Sequence, residues 1–429
     1  MMNADLTYGE STKQGSDSGV SIPSRAYLVP GAGRVRAIKP EYRRRTLKKI
    51  ETELGTRTVV SGGGFRSKLH QLISKHCVVK DDAVTRTSFT TQRNLRTGLS
   101  RLFEVLIGKY KLENPANLDG RHIQYLYDWM EERYRNGLEG KKPALSAATI
   151  DGYVSYLRHF CRWIGQPELI KRAGVKFQDE SATKRTAAAT RDKTWEGQGI
   201  DIAAKIDEAY RVEEWVGIAL LAQHAFGLRR KEAVCLVPTK KFNAEIGYLS
   251  ITEGAKGGRS RLVFFTEPSQ YEVMALILEW LREQRRPNTH IGGTDRDLQA
   301  VLRRYAHVLA KIGITKDTCG TTGHGLRAGF ACRLLESFGV TPVVKGGKPG
   351  ELDPVVVRTA MLVTTEAMGH GRLAPVGAYA GNERTKLEAQ ANLPTPCPPL
   401  DMPALIAQIR ERRAEAKRLA KALKQEFFD

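Results

Sequence analysis

Acidic residues are scarce in this chain. Of its 429 residues, 47 are Asp or Glu against 68 Lys or Arg, which leaves a formal net charge of +21. That imbalance costs self-repulsion which a bound polyanion would relieve, so nucleic acid is the expected partner. Long apolar runs are also missing. The best, VGIALLAQHAF (216–226), falls far below the roughly 20 residues that cross a bilayer, so no membrane association is expected. The six cysteines (Cys77, Cys161, Cys235, Cys319, Cys332, Cys397) stand far apart with no C-x-x-C pair, which argues against a zinc clamp or a secreted disulfide framework. The opening residues, MMNADLTYGESTKQGSDSG, lack the charged and apolar regions of a secretory signal, and a cytoplasmic, nucleoid-associated location is expected. Tyrosine itself runs out at Tyr379.

What is present divides into segments. Residues 1–80 read as a basic, partly disordered N-terminal region, because the first 40 or so are rich in Gly, Ser and cations with few apolar anchors. Within it, PEYRRRTLKKIETEL (40–54) reads as a short basic helix that SGGGF (61–65) breaks. That glycine run lacks the Gly-Lys-Ser/Thr of a phosphate-binding loop, so it reads as a turn. Residues 81–170 read as a helical bundle with apolar positions recurring every three or four residues: Leu95, Leu99, Leu102, Phe103, Leu106 and Ile107, then Ile123, Leu126, Trp129 and Met130, then Ile150, Val154, Leu157, Phe160 and Trp163. Ser146 is placed to cap the third helix. Arg93, Arg96, Arg158 and Arg162 fall on its polar faces and are candidates for DNA backbone contacts.

Residues 171–197 read as a basic linker, in which Lys184 and Arg185 are further candidate DNA contacts. Residues 198–400 read as a mixed unit: helical periodicity over 200–237, a hairpin joining IGYLSI (246–251) to SRLVFF (260–265), and helices near 269–285, 294–312, 324–338 and 353–368. A turn-rich stretch, 339–354, reads as a surface loop. Residues 401–429 form a helical tail whose apolar candidates, Leu405, Ile406, Ile409, Leu419 and Leu423, could pack on their own domain or in trans. The fold class is therefore mainly α with a small antiparallel β-sheet or hairpin.

Four short segments could carry chemistry. In TTGHGLRAGF (321–330), His324 and Arg327 would share one face of a first helical turn, where backbone N–H groups favour an anion. In HAFGLRRKEAVCLV (224–237), a Gly-Leu pair introduces Arg229 and Arg230, either of which could offer a fork to two phosphate oxygens. The turn GAKGGRSR (254–261) holds Lys256 at a glycine-framed tip, with Arg259 nearby as another candidate DNA contact. In GHGRLAPVGAY (369–379), Tyr379 follows His370 by nine residues.

In this order, Arg229, Lys256, His324, Arg327, His370 and Tyr379 resemble the catalytic set of the tyrosine recombinases, the phage-integrase family of site-specific DNA recombinases. In that family an arginine follows Gly-Leu and precedes a glutamate, here Glu232; a lysine caps a hairpin; a His-x-x-Arg opens a helix; and Gly-His precedes the tyrosine. The 43-residue interval from Arg327 to His370 is longer than usual, and the 339–354 loop accounts for it as an insertion. Lys231 stands where a small polar residue is common. The resemblance implies a helical core-binding domain ahead of a mixed α/β catalytic domain. It also implies cleavage and rejoining of DNA through a 3′-phosphotyrosyl intermediate, with no cofactor, metal or ATP.

The implied roles are Arg229 and Arg327 clamping the scissile phosphate, His324 and His370 assisting, Lys256 protonating the departing 5′ oxygen, and Tyr379 attacking. The implied partners are double-stranded DNA with specific recombination sites, a homo-tetramer on two duplexes and an accessory DNA-bending protein, in integration or excision of a mobile element. A tyrosine-type topoisomerase and a non-catalytic DNA-binding protein derived from a recombinase are the alternatives.

Overall fold

A computed structural model describes residues 47–52, 55–60, 64–78, 87–138, 144–171, 174–185, 187–293, 297–348, 350–382 and 400–426, with isolated positions 385, 387 and 397. The disorder expected of residues 1–40 lies outside this range. Strands β1 (Leu47–Thr52) and β2 (Gly55–Val60) pair antiparallel, with Leu47 opposite Val60. This corrects the helix expected over 40–54 wherever that segment is described. The run Leu47–Thr52 suits a helix in isolation, but the β-branched Thr56, Thr58, Val59 and Val60 supply a partner strand, and pairing overrides local propensity.

Four helices follow: α1 (Phe65–His76), α2 (Phe89–Lys109), α3 (Gly120–Leu138) and α4 (Ala147–Trp163). Ser88 and Ser146 cap α2 and α4, each side chain accepting the backbone N–H three residues on (Thr91 and Thr149), which satisfies a donor the helix itself cannot. Leu99, Leu102, Leu106, Ile123, Met130, Ile150, Leu157 and Phe160 are all fully buried in one core. Leu72 and Ile73 of α1 lie in that same core, so the bundle's packing begins ahead of residue 81. Phe65, Leu69, Leu72 and Ile73 keep the helical spacing that α2–α4 show, and α1 was legible from it.

Between the bundle and the next unit the chain is not a plain polar spacer. Ala182 enters the bundle core, the Ala189 N–H donates to Gly377 O (2.7 Å), and Trp195 is fully buried with Nε1 donating to Thr322 O (2.9 Å). Few apolar residues are present, yet Ala182, Ala189 and Trp195 are all buried.

The second unit contains α5 (Ile202–Val212), α6 (Glu214–Phe226), α7 (Arg230–Cys235), α8 (Pro238–Lys241), β3 (Phe242–Asn243), β4 (Tyr248–Ile251), β5 (Arg261–Phe264), α9 (Pro268–Glu283), α10 (Leu298–Lys311), α11 (Lys316–Cys319), α12 (His324–Glu336), α13 (Pro354–Ala367), α14 (Gly377–Ala380) and α15 (Met402–Glu426). Helix α6 is the apolar run noted above; every residue from Val216 to Phe226 is buried, as expected of a central helix hydrophobic all round. Helices α5, α9 and α12 pack against it. The strands form one antiparallel sheet in the order β3-β4-β5, with Leu249 opposite Val263 and both buried.

The first half of α15 docks in cis. Leu405, Ile406 and Ile409 enter the core of their own unit, while Arg410 pairs with Glu279 (2.9 Å), Arg412 with Asp207 (2.6 Å) and Lys417 with Glu283 (2.8 Å). Leu419 is exposed, and the Leu423 side chain lies outside the described residues. Among the described residues no helix is long and apolar enough to cross a membrane.

Candidate active site

Each candidate side chain sits where its local sequence sends it. Arg229 caps α7: its backbone N–H donates to Glu232 Oε2 (2.7 Å) and its Nη1 to Glu232 Oε1 (2.6 Å). The side chain of Arg230 is exposed, so Arg229 is the arginine that turns inward. His324 and Arg327 share the first turn of α12. His370 follows the turn that ends α13, with its N–H donating to Thr365 O. Tyr379 rides on α14, one turn long, and Pro375 sits in the 3₁₀ turn just before it, where its missing N–H costs nothing. Lys256 opens the 3₁₀ turn between β4 and β5 and is exposed.

Arg327 is the hub. Its side chain is fully buried; Nε donates to Tyr379 Oη (3.2 Å), Nη1 to Gly227 O and Nη2 to Met368 O, while His370 Nε2 lies 3.4 Å from Nη2. Arg229 Nη2 reaches the same Met368 carbonyl (3.3 Å). The rings of His324 and His370 flank Tyr379 at centroid distances of 5.6 and 5.9 Å. Tyr379 is 8 % exposed and its ring belongs to the hydrophobic core of the unit, but its hydroxyl is held by the arginine rather than lost in an oily interior. Arg327, Tyr379, His324 and His370 thus meet around one point, and Arg229 joins them through the shared Met368 carbonyl. Lys256 is near enough for its charge to act on His370.

The electrostatics follow from three guanidiniums around one buried carboxylate. Burial alone would raise the Glu232 pKa; the hydrogen bonds and charge of Arg261, then the Arg229 amide and Arg327, overturn that and hold it at about 2. Burial pulls Arg327 down to about 10, with Arg229 and Arg261 repelling it and the Tyr379 phenol acting the other way, so it stays charged at neutral pH. His324 and His370 are each pushed down to about 4, first by loss of surrounding water and then by Arg327 and Arg229. His324 nonetheless keeps an open edge to solvent. The site therefore holds cationic arginines beside neutral imidazoles, a combination that can grip an anion and accept a proton.

Arg261 is the residue that sequence reading missed. It was visible only as a polar member of a strand, but its register turns it inward. Nη1 and Nη2 donate to the two oxygens of Glu232 (2.8 and 2.9 Å), and Nε donates to Ala367 O (2.8 Å). A second support lies behind the site: Tyr305 Oη donates to Gln223 Oε1, and Gln223 Nε2 donates to Leu228 O (3.1 Å), bracing the turn that presents Arg229.

The other candidate contacts lie apart from this cluster. Arg93, Arg96, Arg158 and Arg162 are exposed on α2 and α4, and Lys184 and Arg185 are exposed on the connecting segment, paired with Glu180 (3.2 Å) and Asp151 (3.9 Å). Arg259 is exposed but lies against Gly371, so it borders the site beside His370. Among the described residues no group of three or more His, Cys, Asp or Glu side chains could hold a metal.

Residues 185–333 match the family model described as Integrase, a span that includes Arg229, Lys256, His324 and Arg327 and stops short of His370 and Tyr379. Solved structures similar to this chain include a lambda integrase dimer bound to a COC′ core site (TM-score 0.46, 15 % identity, covering 77 % of this chain and 99 % of that one). A XerH site-specific recombinase bound to palindromic difH substrate is another (TM-score 0.45, 17 % identity, 73 % and 90 %). A third is the Tn1549 transposon integrase in complex with transposon right end DNA (TM-score 0.45, 14 % identity, 82 % and 99 %). No curated protein matches the sequence. With the family match over 185–333, and with Tyr379 and His370 brought onto the same arginine, the chain is similar to the tyrosine recombinases (phage integrases), enzymes that cleave and rejoin DNA.

Proposed function

We propose that Tyr379 is the nucleophile of a site-specific recombinase acting on double-stranded DNA, and that the protein integrates or excises a mobile element. The observation that carries this reading is the hydrogen bond from Arg327 Nε to Tyr379 Oη, which sets the phenol against the most deeply buried cation. A phosphodiester resists attack because negative charge repels the nucleophile and grows on its oxygens in the transition state; fixed cations lower that barrier. Arg229 and Arg327 supply them. For a phosphate oxygen to take the Nε hydrogen of Arg327, the phenol must move off it.

The Tyr379 Oη–phosphorus bond then forms as the phosphorus–O5′ bond breaks. Lys256 gives a proton to the departing O5′, and the neutral imidazoles of His324 and His370 can take up the phenolic proton. The result is a 3′-phosphotyrosyl link. A 5′-hydroxyl reverses the step without ATP, since phenoxide is an adequate leaving group. The proposed working assembly is a homo-tetramer on two duplexes, with an accessory DNA-bending protein, in the nucleoid of the cytoplasm; the resemblance to the tyrosine recombinases and the +21 charge support this reading.

A nicked suicide duplex carrying DNA from beside the encoding gene tests the reading. Wild-type protein should accumulate as a covalent adduct that Tyr379→Phe does not form. An adduct surviving that substitution rejects Tyr379. Relaxation of supercoiled plasmid lacking any special site would instead indicate a topoisomerase.

A further inference from the structure

The turn that carries Lys256 is poorly suited to aiming an ammonium. Gly257 and Gly258 follow the lysine directly, Gly254 precedes it by two, and glycine leaves a backbone more conformations than any other residue. The lysine side chain is exposed. A general acid must nonetheless lie within hydrogen-bond reach of the oxygen it protonates. Something must hold both ends of this turn, and the structure shows two anchors. At the start, Gly254 has φ +73°, and a Cβ there would stand 2.7 Å from Lys231 O, so the turn packs directly on the backbone of α7. At the end, Arg261 is buried in its two-pronged contact with Glu232, with Nε on Ala367 O. Its chain also presses on the turn before His370: a Cβ on Gly369 (φ +64°) would stand 2.7 Å from Arg261 Cδ.

From these contacts we infer that Arg261 is a positioning residue, which locks the Lys256 turn to the Arg229–Glu232 cap and to the His370 turn and so places the general acid at the leaving oxygen. The inference rests on the reading of Lys256 as the proton donor to O5′. Arg261 itself touches no reacting atom. Its three hydrogen bonds link three separate segments of chain: β5, the α7 cap and the end of α13. Lysine could keep the charge but not the rigid fork that satisfies both carboxylate oxygens at once. A misplacement of about 1 Å can cost on the order of 100-fold in rate.

The test compares two scissile linkages in single-turnover cleavage by the full chain: the natural phosphodiester and one with sulfur replacing the bridging 5′ oxygen. A thiolate departs without needing a proton, so the sulfur substrate removes the demand for a general acid and leaves every other demand in place. Arg261→Lys should be slowed by tens to about 100-fold on the oxygen substrate and return to within a few fold of wild type on sulfur. Equal slowing on both substrates, or none on either, overturns the inference, because a merely structural role does not depend on the leaving atom. Lys256→Ala is the control for the underlying reading. If sulfur does not rescue it, Lys256 is not the acid, and both statements fall together; if sulfur rescues Lys256→Ala but not Arg261→Lys, only the role of Arg261 falls. Should Arg261→Lys fail to fold, Gly254→Ala disturbs the other anchor. Rescue of that variant by sulfur upholds positioning by the anchored turn, and equal slowing on both substrates rejects it.

Discussion

In the bundle, Arg93, Arg96, Arg158 and Arg162 point outward from a core of leucine, isoleucine and phenylalanine; in the second unit, Arg229, Arg261 and Arg327 turn inward around Glu232. One cation type serves opposite ends. Outward arginines cost little to fold and offer a diffuse attraction that salt screens. Inward ones must be desolvated, and the protein tolerates this only because a carboxylate and main-chain carbonyls complete their hydrogen bonds. The difference teaches where sequence specifies chemistry: removing one inward charge should damage the fold and the reaction together, whereas removing an outward one should change affinity alone.

The largest effect that would break this contrast concerns the proposed nucleophile. Tyr379→Phe should eliminate covalent adduct while DNA binding by gel shift stays within a few fold of wild type. Next, Arg327→Ala should slow cleavage by about 100- to 1,000-fold, the usual loss when one donor to a developing oxyanion is removed. An unchanged rate in single-turnover assays would make Arg327 a packing residue. Third, Glu232→Gln should cost about 3–5 kcal/mol of unfolding free energy in denaturant melts, because it leaves buried guanidiniums without their counter-charge. A loss under about 1 kcal/mol would show that the carbonyls alone sustain them.

Acid should sharpen the comparison. His324 and His370 have folded pKa values near 4 against an ordinary 6.5, so the unfolded chain binds more protons between those limits and stability falls as pH drops from about 6.5 to 4. His76 and His122 of the bundle are lowered by burial too, so both units should weaken over the upper part of that range. Glu232 is depressed from 4.5 to about 2; its stabilisation is complete above pH 4.5 and disappears as pH falls toward 2, in the second unit only. Unfolding monitored separately in each unit should show this further acid loss in the second one. Smallest of all, Arg93→Gln with Arg96→Gln should lower affinity for any DNA sequence and reduce the steepness of its salt dependence by about one unit per lost phosphate contact, measured by titration at several salt concentrations. A sequence-selective loss would contradict a backbone role.

How much of this was legible depended on the range over which each signal acts. The helices of the bundle and the α12 turn with His324 and Arg327 follow from residues a few positions apart, and periodicity and capping expose them. So does the hairpin that carries Lys256. Arg261 was hidden because its partners, Glu232 and Ala367, lie 29 and 106 residues away, and nothing in SRLVFF distinguishes an inward arginine from a solvated one. The β1–β2 hairpin was misread for a related reason: Leu47–Thr52 carries a local preference that only pairing with Gly55–Val60 reverses. The cis docking of α15 was undecidable from its apolar stripe, since such a stripe does not name its partner; the ion pairs to Asp207, Glu279 and Glu283 do.

The hydrogen bond from Ala189 to Gly377 gives the tether between the two units a second office. It is a strut of the single helical turn on which the phenol rides. An engineer who swapped that stretch for a flexible spacer of equal length would therefore loosen the turn that holds Tyr379 while intending only to slacken a leash.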